Sequence, residues 1–187
     1  MPLFPVYVDL SDREVLVVGG GRVALRKVRS LLKFTRNITL VAPKLVPELE
    51  RLARREGVKL KRRSFLRGDL KGKDMVIVAV DDLDLQRRIF EMCIRKGILC
   101  NAVDSPEYCN FIFPALVVRG DLVIGVSSSA RVPALSRRIR ELIEACLPEN
   151  IEEVIQKLRE ERERMPKGEE RQRALTALAR KLIPLPR

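Results

Sequence analysis

Val15-Leu16-Val17-Val18-Gly19-Gly20-Gly21-Arg22-Val23-Ala24 is an apolar run that passes directly into a glycine turn and then into residues suited to open a helix. Gly19, Gly21 and Ala24 occupy the fixed positions of G-x-G-x-x-G/A. The first of these positions makes the tight turn, the second lets a pyrophosphate approach the backbone, and the third packs helix against strand. A pyrophosphate there would sit at a helix N-terminus, where backbone N–H groups without partners and the helix dipole favour negative charge. Glycine-rich strand-to-helix turns also occur without a nucleotide, so the surrounding chain has to decide between the two.

On either side of this turn, strand-like and helix-like segments alternate. Residues 14–18 form the first strand and 22–33 the first helix; 38–41 is a second strand ended by Ala42-Pro43, and 47–56 is a helix stopped by Gly57. Residues 58–61 suit a third strand, and 75–80 is a continuous apolar run of the kind buried on both faces. A helix at 83–96 stops at Gly97, and 98–103 closes the series as a strand. This alternation predicts an α/β fold, a Rossmann-like parallel sheet with helices on both faces. After residue 111 the pattern changes. Segments 112–119 and 122–128 are joined by Arg119-Gly120-Asp121, a hairpin signal, and Pro133 starts a helix over 134–146. Two helical stretches follow, 149–164 and 169–183, separated by Pro166-Lys167-Gly168. Ile151, Val154, Ile155 and Leu158 recur at helical spacing, which predicts that this tail packs.

The chain has 187 residues, 46% of them hydrophobic, enough for one packed domain and a small accessory one. Charged residues interrupt every apolar run before it reaches the roughly 18 residues of a membrane span. Residues 1–12 lack the basic start and long apolar stretch of an export signal, so a cytoplasmic protein is expected. The cysteines, Cys93, Cys100, Cys109 and Cys146, form no C-x-x-C pair, and the sequence holds no histidine. That is a poor zinc set; reduced buried thiols are the expectation, and no metal ligand is assigned. Without histidine, acid–base chemistry near neutral pH falls to a carboxylate, Cys, Lys, Tyr or a cofactor. A net charge of +12 suits a polyanionic partner, or simply a solvated surface rich in Arg, Lys and Glu. Nucleic acid is not favoured, because aromatics make up only 4%, Trp is absent and no helix-turn-helix signature stands out.

Ligands of doubly wound sheets bind outside the carboxyl ends of the strands. Here those ends carry Gly19-Gly20-Gly21, Ala42-Pro43-Lys44, Val80-Asp81-Asp82 and Asp104-Ser105-Pro106, all expected on one edge. Either Asp81 or Asp82 can cap the helix that follows, which accounts for one of the pair structurally. Asp104 is open to two readings, an Asx-turn before Pro106 or a catalytic carboxylate.

These residues resemble the precorrin-2 dehydrogenase and sirohydrochlorin ferrochelatase family of siroheme synthesis. The resemblance runs in order through Leu3-Phe4-Pro5-Val6-Tyr7-Val8-Asp9-Leu10, the fingerprint with Val23-Ala24-Leu25-Arg26-Lys27, Val41-Ala42-Pro43, and Ala79-Val80-Asp81-Asp82. It continues with Asn101-Ala102-Val103-Asp104-Ser105-Pro106, Phe111-Ile112-Phe113-Pro114-Ala115 and Pro133-Ala134-Leu135-Ser136-Arg137-Arg138-Ile139-Arg140. It implies NAD-dependent oxidation of precorrin-2 to sirohydrochlorin and, in some members, insertion of ferrous iron. It also implies a homodimer, with an NAD-binding domain at 1–112, a dimerisation segment at 113–147 and a C-terminal helical domain at 148–187. By position, Asp104 is the acid–base residue, with the nearby Tyr108 a weaker alternative and Cys109 weaker still. Gly19, Gly20, Gly21, Arg22, Val23, Pro43, Lys44, Val80 and Asp81 hold the cofactor, and Ser128, Arg131 and Arg137 hold the substrate. The carboxylates around a tetrapyrrole rim suit a basic protein. Arg131, Arg137, Arg138 and Arg140 are candidates for those contacts, and a solvated basic helix face explains each equally well.

The sequence departs from pattern at two places. Pro43-Lys44 offers no acidic residue to grip the ribose of NAD, and Lys44 would suit an NADP phosphate. Ser127-Ser128-Ser129-Ala130 stands where relatives commonly have a serine or threonine followed by Gly-Gly. A non-catalytic NAD-sensing module is the rival reading; it would share the fingerprint and turn the basic charge to DNA. No nucleic-acid or membrane partner is expected.

Overall fold

Short runs of β-branched and aliphatic residues with no alternation form strands only where helices cover both faces of the sheet. A computed structural model describes residues 2–129 and 131–184, so Ala130 of the serine loop lies outside the described residues. Two compact units divide it, Leu3–Phe113 and the segment from Pro114 onward.

In the first unit, β1 (Val15–Val18), β2 (Ile38–Val41), β3 (Lys59–Lys61), β4 (Met75–Val78) and β5 (Leu99–Ala102) form a parallel sheet in the order β3-β2-β1-β4-β5. Val15 stands level with both Ile38 and Met75, so β1 lies at the centre with its carboxyl end flush with those of its neighbours. Helices α1 (Arg22–Leu31), α2 (Pro47–Arg55) and α3 (Leu83–Arg95) make crossovers between strands. Val15, Val17, Ile38, Leu40 and Ile77 pack with Ala24, Val28, Leu31 and Leu49 of α1 and α2. Leu16, Val18, Val76 and Val78 pack instead with Ile89 and Cys93 of α3. Strand order reverses between β1 and β4, which opens a crevice beyond their carboxyl ends.

The strand runs end earlier than their apolar composition predicts. β4 stops at Val78 rather than residue 80: the Val80 carbonyl accepts a hydrogen bond from Gln86 Nε2 at 2.6 Å instead of pairing with a strand. β5 stops at Ala102 because the chain turns left-handed at Asp104.

The β3–β4 crossover carries no α-helix, only a 3-10 turn at Arg67–Leu70. Asp69 holds it. Its carboxylate is 3% exposed and accepts from Lys61 Nζ at 2.8 Å, from Arg63 Nη1 and Nη2 at 2.8 and 2.7 Å, and from the Leu66 N–H at 2.9 Å. The Arg63 guanidinium, aided by Lys61 and the Leu66 N–H, holds this carboxyl far below the usual carboxylate range. Because its folded pKa is depressed, its stabilising contribution is complete above the ordinary carboxylate range and is lost as the pH falls towards the folded value. Asp69→Asn is expected to cost about 1–3 kcal/mol at neutral pH, the cost of an imperfectly satisfied buried polar group. Urea titrations should show the gap between variant and wild type closing as the pH drops below about 4.

In the second unit, β6 (Ala115–Arg119) and β7 (Leu122–Val126) form an antiparallel hairpin. It begins three residues later than expected because Pro114 has no N–H to donate to a ladder. Helices α4 (Pro133–Cys146), α5 (Ile151–Arg164) and α6 (Glu169–Leu182) follow. Arg159 pairs with Asp121 of the hairpin turn, and Ile151 and Val154 are buried, so the charged tail packs as its spacing predicts. No helix among the described residues is long and apolar enough to cross a membrane.

Candidate functional site

β1 delivers its chain straight into the glycine turn, and each glycine there answers a different constraint. Gly19 adopts φ +124°, and a Cβ on it would lie 2.1 Å from the Ala79 carbonyl oxygen. On Gly20 a Cβ would lie 1.9 Å from the Lys44 carbonyl oxygen. The fingerprint leaves Gly20 unspecified, yet the loop after β2 packs on it, and the Val46 N–H donates to the Gly20 carbonyl at 2.9 Å. Gly21 is the contrast. Nothing lies within 4 Å of where its Cβ would be, which leaves the backbone open to a ligand.

Gly21 is also the N-cap of α1. No side chain caps this helix and no acidic residue stands in its first turn; Arg22 does, exposed. The first N–H groups of a helix have no acceptor within it, so this end presents donors and a positive dipole to the crevice. Ala24 is fully buried at the third fingerprint position, and Val23 is half-buried beside it. The site therefore fits a pyrophosphate on its backbone donors, its open glycine and its charge.

Around this turn lie the other carboxyl ends of the sheet. Pro43 and Lys44 are exposed after β2, with no carboxylate between Ala42 and Val46. Asp82 is the cap of α3, accepting from the Leu85 N–H at 2.9 Å, and this settles which aspartate has the structural task. Asp81 is exposed and Val80 half-buried.

Asp104 follows β5 with φ +62°, a left-handed conformation that Asp tolerates better than most residues. A local clamp fixes it there. The Cys109 thiol lies 3.2 Å from the Ala102 carbonyl and 3.3 Å from the Ser105 carbonyl, one on each side of Asp104. Asn101, 7% exposed, donates from Nδ2 to Cys109 Sγ at 3.4 Å and to the Phe111 carbonyl at 3.1 Å. Burial raises the Cys109 pKa, so the group acts as a neutral thiol clip. A 3-10 turn at Pro106–Tyr108 completes the loop, where an Asx-turn at Asp104 was the structural alternative.

Lys27, on α1, was assigned no role from sequence. It is half-buried, with Nζ 4.0 Å from the centroid of the Phe113 ring. Phe113 in turn stacks on Phe111 at 5.5 Å. Burial pushes the Lys27 ammonium down to about 8, helped by Arg26 and opposed by Cys109 and Asp104. Only tertiary contacts distinguish this lysine from the surface cations of α1.

The remaining candidates belong to the second unit. Ser128 Oγ accepts from the Val132 N–H at 3.0 Å and from the buried Ser136 hydroxyl at 3.0 Å, which ties the serine loop to the start of α4. Ser129 adopts φ +55°, the conformation a glycine would take without strain. Arg131 and Arg137 are exposed and make no ion pair among the described residues. Arg138 and Arg140, by contrast, are paired with Glu141 and Glu144 on their own helix.

Comparison with known proteins places the chain in a family. A sequence model of a family described as "Putative NAD(P)-binding" matches residues 6–115. The siroheme synthase of Thioalkalivibrio sulfidiphilus is 43% identical over 148 residues, 79% of this chain and 30% of that protein. That of Pseudoalteromonas translucida is 41% identical over 151 residues, 81% of this chain and 32% of that protein. The chain thus spans about a third of the length of these curated relatives. A solved structure, SirC, precorrin-2 dehydrogenase, superposes with a TM-score of 0.79 at 26% identity, covering 98% of this chain and 93% of that one. With its glycine turn, capless helix and matched residues 6–115, the chain belongs to this family of NAD(P)-binding proteins, which use a nicotinamide cofactor.

Proposed function

We propose that the chain is an NAD-dependent dehydrogenase that oxidises precorrin-2 to sirohydrochlorin in siroheme synthesis. One observation carries the reading: a single sheet edge holds both a helix N-terminus free of side-chain caps and acids and a carboxylate, Asp104, clamped in a left-handed turn. Similarity to SirC over nearly the whole of both chains, and to siroheme synthases, supports the substrate class.

Bound NAD supplies the hydride acceptor. Gly19, Gly20, Gly21, Arg22 and Val23 cradle its pyrophosphate, while Pro43, Lys44, Val80 and Asp81 border it along the edge. Asp104 takes the proton that leaves the macrocycle with the hydride. Ser128 and the exposed Arg131 and Arg137 hold the rim carboxylates of the tetrapyrrole. Asp104 is equally suited to take pyrrole protons displaced by ferrous iron as a second substrate, and adding ferrous iron to the oxidised product tests that step.

Lys61 and Arg63 at the neighbouring end of β3 are paired with Asp69, and Arg62 with Glu50, so among the described residues the loop after β2 offers a 2′-phosphate only the exposed Lys44. A single exposed lysine is a weak phosphate clamp, so NAD is the expected cofactor. Steady-state oxidation of precorrin-2 under anaerobic conditions should show kcat/KM at least about tenfold higher with NAD than with NADP, or about 1.4 kcal/mol of discrimination. The reverse preference overturns the cofactor assignment. A protein that binds NAD and leaves precorrin-2 unchanged is the sensing module instead.

The proposed assembly is a homodimer built through residues 113–147. Leu135, Ile139 and Leu142 form one stripe along α4 and are 50%, 38% and 50% exposed in the single chain, an apolar face suited to a second copy. Light scattering should give twice the chain mass at micromolar concentration. Ile139→Glu should bring it to one chain mass, and an unchanged dimer would move the interface elsewhere.

A further inference from the structure

Gln86, Ile89 and Cys93 form the buried stripe of α3, and Gln86, 3% exposed, stands where a core-facing helix ordinarily carries an apolar residue. An amide buried there needs partners for both of its ends. Gln86 has a partner for one. Its Nε2 donates to the Val80 carbonyl at 2.6 Å, while Oε1, closed off from solvent, finds no donor among the described residues. Turning the amide over would not help, because it would set two oxygens against each other at 2.6 Å. An acceptor buried without a partner lowers stability. The task of the amide therefore lies at its other end, on Val80.

That end fixes a turn that walls the cofactor cradle. Just beyond β4, the Ala79 N–H donates to the Val18 carbonyl at 2.7 Å, and the Ala79 carbonyl oxygen closes on Gly19, where a Cβ would meet it at 2.1 Å. Ala79 is thus to Gly19 what Lys44 is to Gly20. Two loops, one from each neighbour of β1, hold the glycine turn between them. The loop after β2 is tied to the turn directly, by the Val46 N–H on the Gly20 carbonyl. The loop after β4 has its next carbonyl, that of Val80, outside the sheet, and Gln86 holds it.

We propose that Gln86 is a positioning residue for the cofactor: by holding the Val80 carbonyl, its amide sets the wall that Ala79 presents to Gly19 and keeps the glycine turn in the shape that receives a pyrophosphate. This rests on the reading of that turn as the NAD cradle. The orphan acceptor is the sign that the amide serves position rather than stability. An apolar side chain of the same length would fill the core stripe and leave no buried oxygen without a partner, and the carbonyl of half-buried Val80 can then turn to water. Such a chain keeps its stability and loses the wall. Stability and cofactor affinity therefore part company, which they would not do if the amide served the fold alone.

Gln86→Met in the full chain is the test. Its melting temperature should stay within about 3 °C of wild type, a small shift for a chain of this size. Its NAD affinity, by calorimetric titration, should fall about tenfold. A second readout needs no cofactor. In the unliganded variant the backbone amides of residues 19–23 should exchange with deuterium faster than in wild type, while those of β2 and α2 keep their wild-type rates. Should Gln86→Met fail to fold, Gln86→Glu, which keeps the shape and puts an oxygen where the donor was, should show the same faster exchange. NAD affinity within about twofold of wild type, well inside the tenfold expected, overturns the proposal. Unchanged exchange at the glycine turn overturns it as well. Both results leave NAD binding by the wild type in place. A wild type that binds no NAD overturns the cradle itself, a failure that the exchange rates of the unliganded chain keep separate from this one.

Discussion

Gly20→Ala is expected to abolish useful dinucleotide affinity and to lower stability as well, although the fingerprint does not specify this position. The added Cβ would stand 1.9 Å from the Lys44 carbonyl oxygen, 2.9 Å from its carbon and 3.0 Å from Ala42 Cβ. Backbone, not a flexible side chain, has to give way, and the Val46 N–H bond to the Gly20 carbonyl goes with it. Overpacking of this kind costs about 1–3 kcal/mol. Gly21→Ala is the informative partner. Its φ of −85° suits alanine and its Cβ meets nothing within 4 Å, so the fold and the melting temperature should be preserved. The methyl group nevertheless stands where a pyrophosphate would approach. Calorimetric titration with NAD should show a loss of at least about tenfold, or 1.4 kcal/mol, in both variants, while thermal unfolding separates them. Wild-type NAD affinity in Gly21→Ala would place the pyrophosphate elsewhere.

The second large effect is expected at Asp104. With no histidine in the chain and Cys109 held as a neutral clip, Asp104 is the residue we propose as proton acceptor at this edge. Removing such a group typically costs about 10²–10⁴-fold in rate. The choice of substitution matters, because Asp104 is left-handed. Asparagine tolerates that conformation, whereas alanine adds about 1–2 kcal/mol of backbone strain. Asp104→Asn should therefore keep the melting temperature and NAD affinity and lose turnover; Asp104→Ala should lose turnover with some stability. An unchanged rate of precorrin-2 oxidation in Asp104→Asn would remove the residue from the mechanism.

Much of this architecture is legible in the chain because apolar runs such as Met75–Val78 can only be buried strands, and because glycines at 57 and 97 stop helices where a left-handed residue is needed. The contacts between distant residues are not legible. Gly20 reads as an unspecified position until the Lys44 carbonyl packs on it. Asp81 and Asp82 are equivalent on paper, and only the register of α3 chooses Asp82 as the cap. Lys27 reads as one more basic residue on an amphipathic helix; Phe113, far along the chain, draws it inward. Cys109 reads as a stray thiol and becomes the clip that fixes Asp104. Arg131 and Arg137 were indistinguishable from Arg138 and Arg140 until Glu141 and Glu144 claimed the latter two.

The most direct test of the central claim is an anaerobic single turnover, in which precorrin-2 and NAD are mixed with excess protein and both products are followed by absorbance. NADH and sirohydrochlorin should appear together in equal amounts with wild type, and should both be nearly absent with Asp104→Asn. Sirohydrochlorin formed without NADH, or no oxidation by a protein shown to bind NAD, would contradict the account.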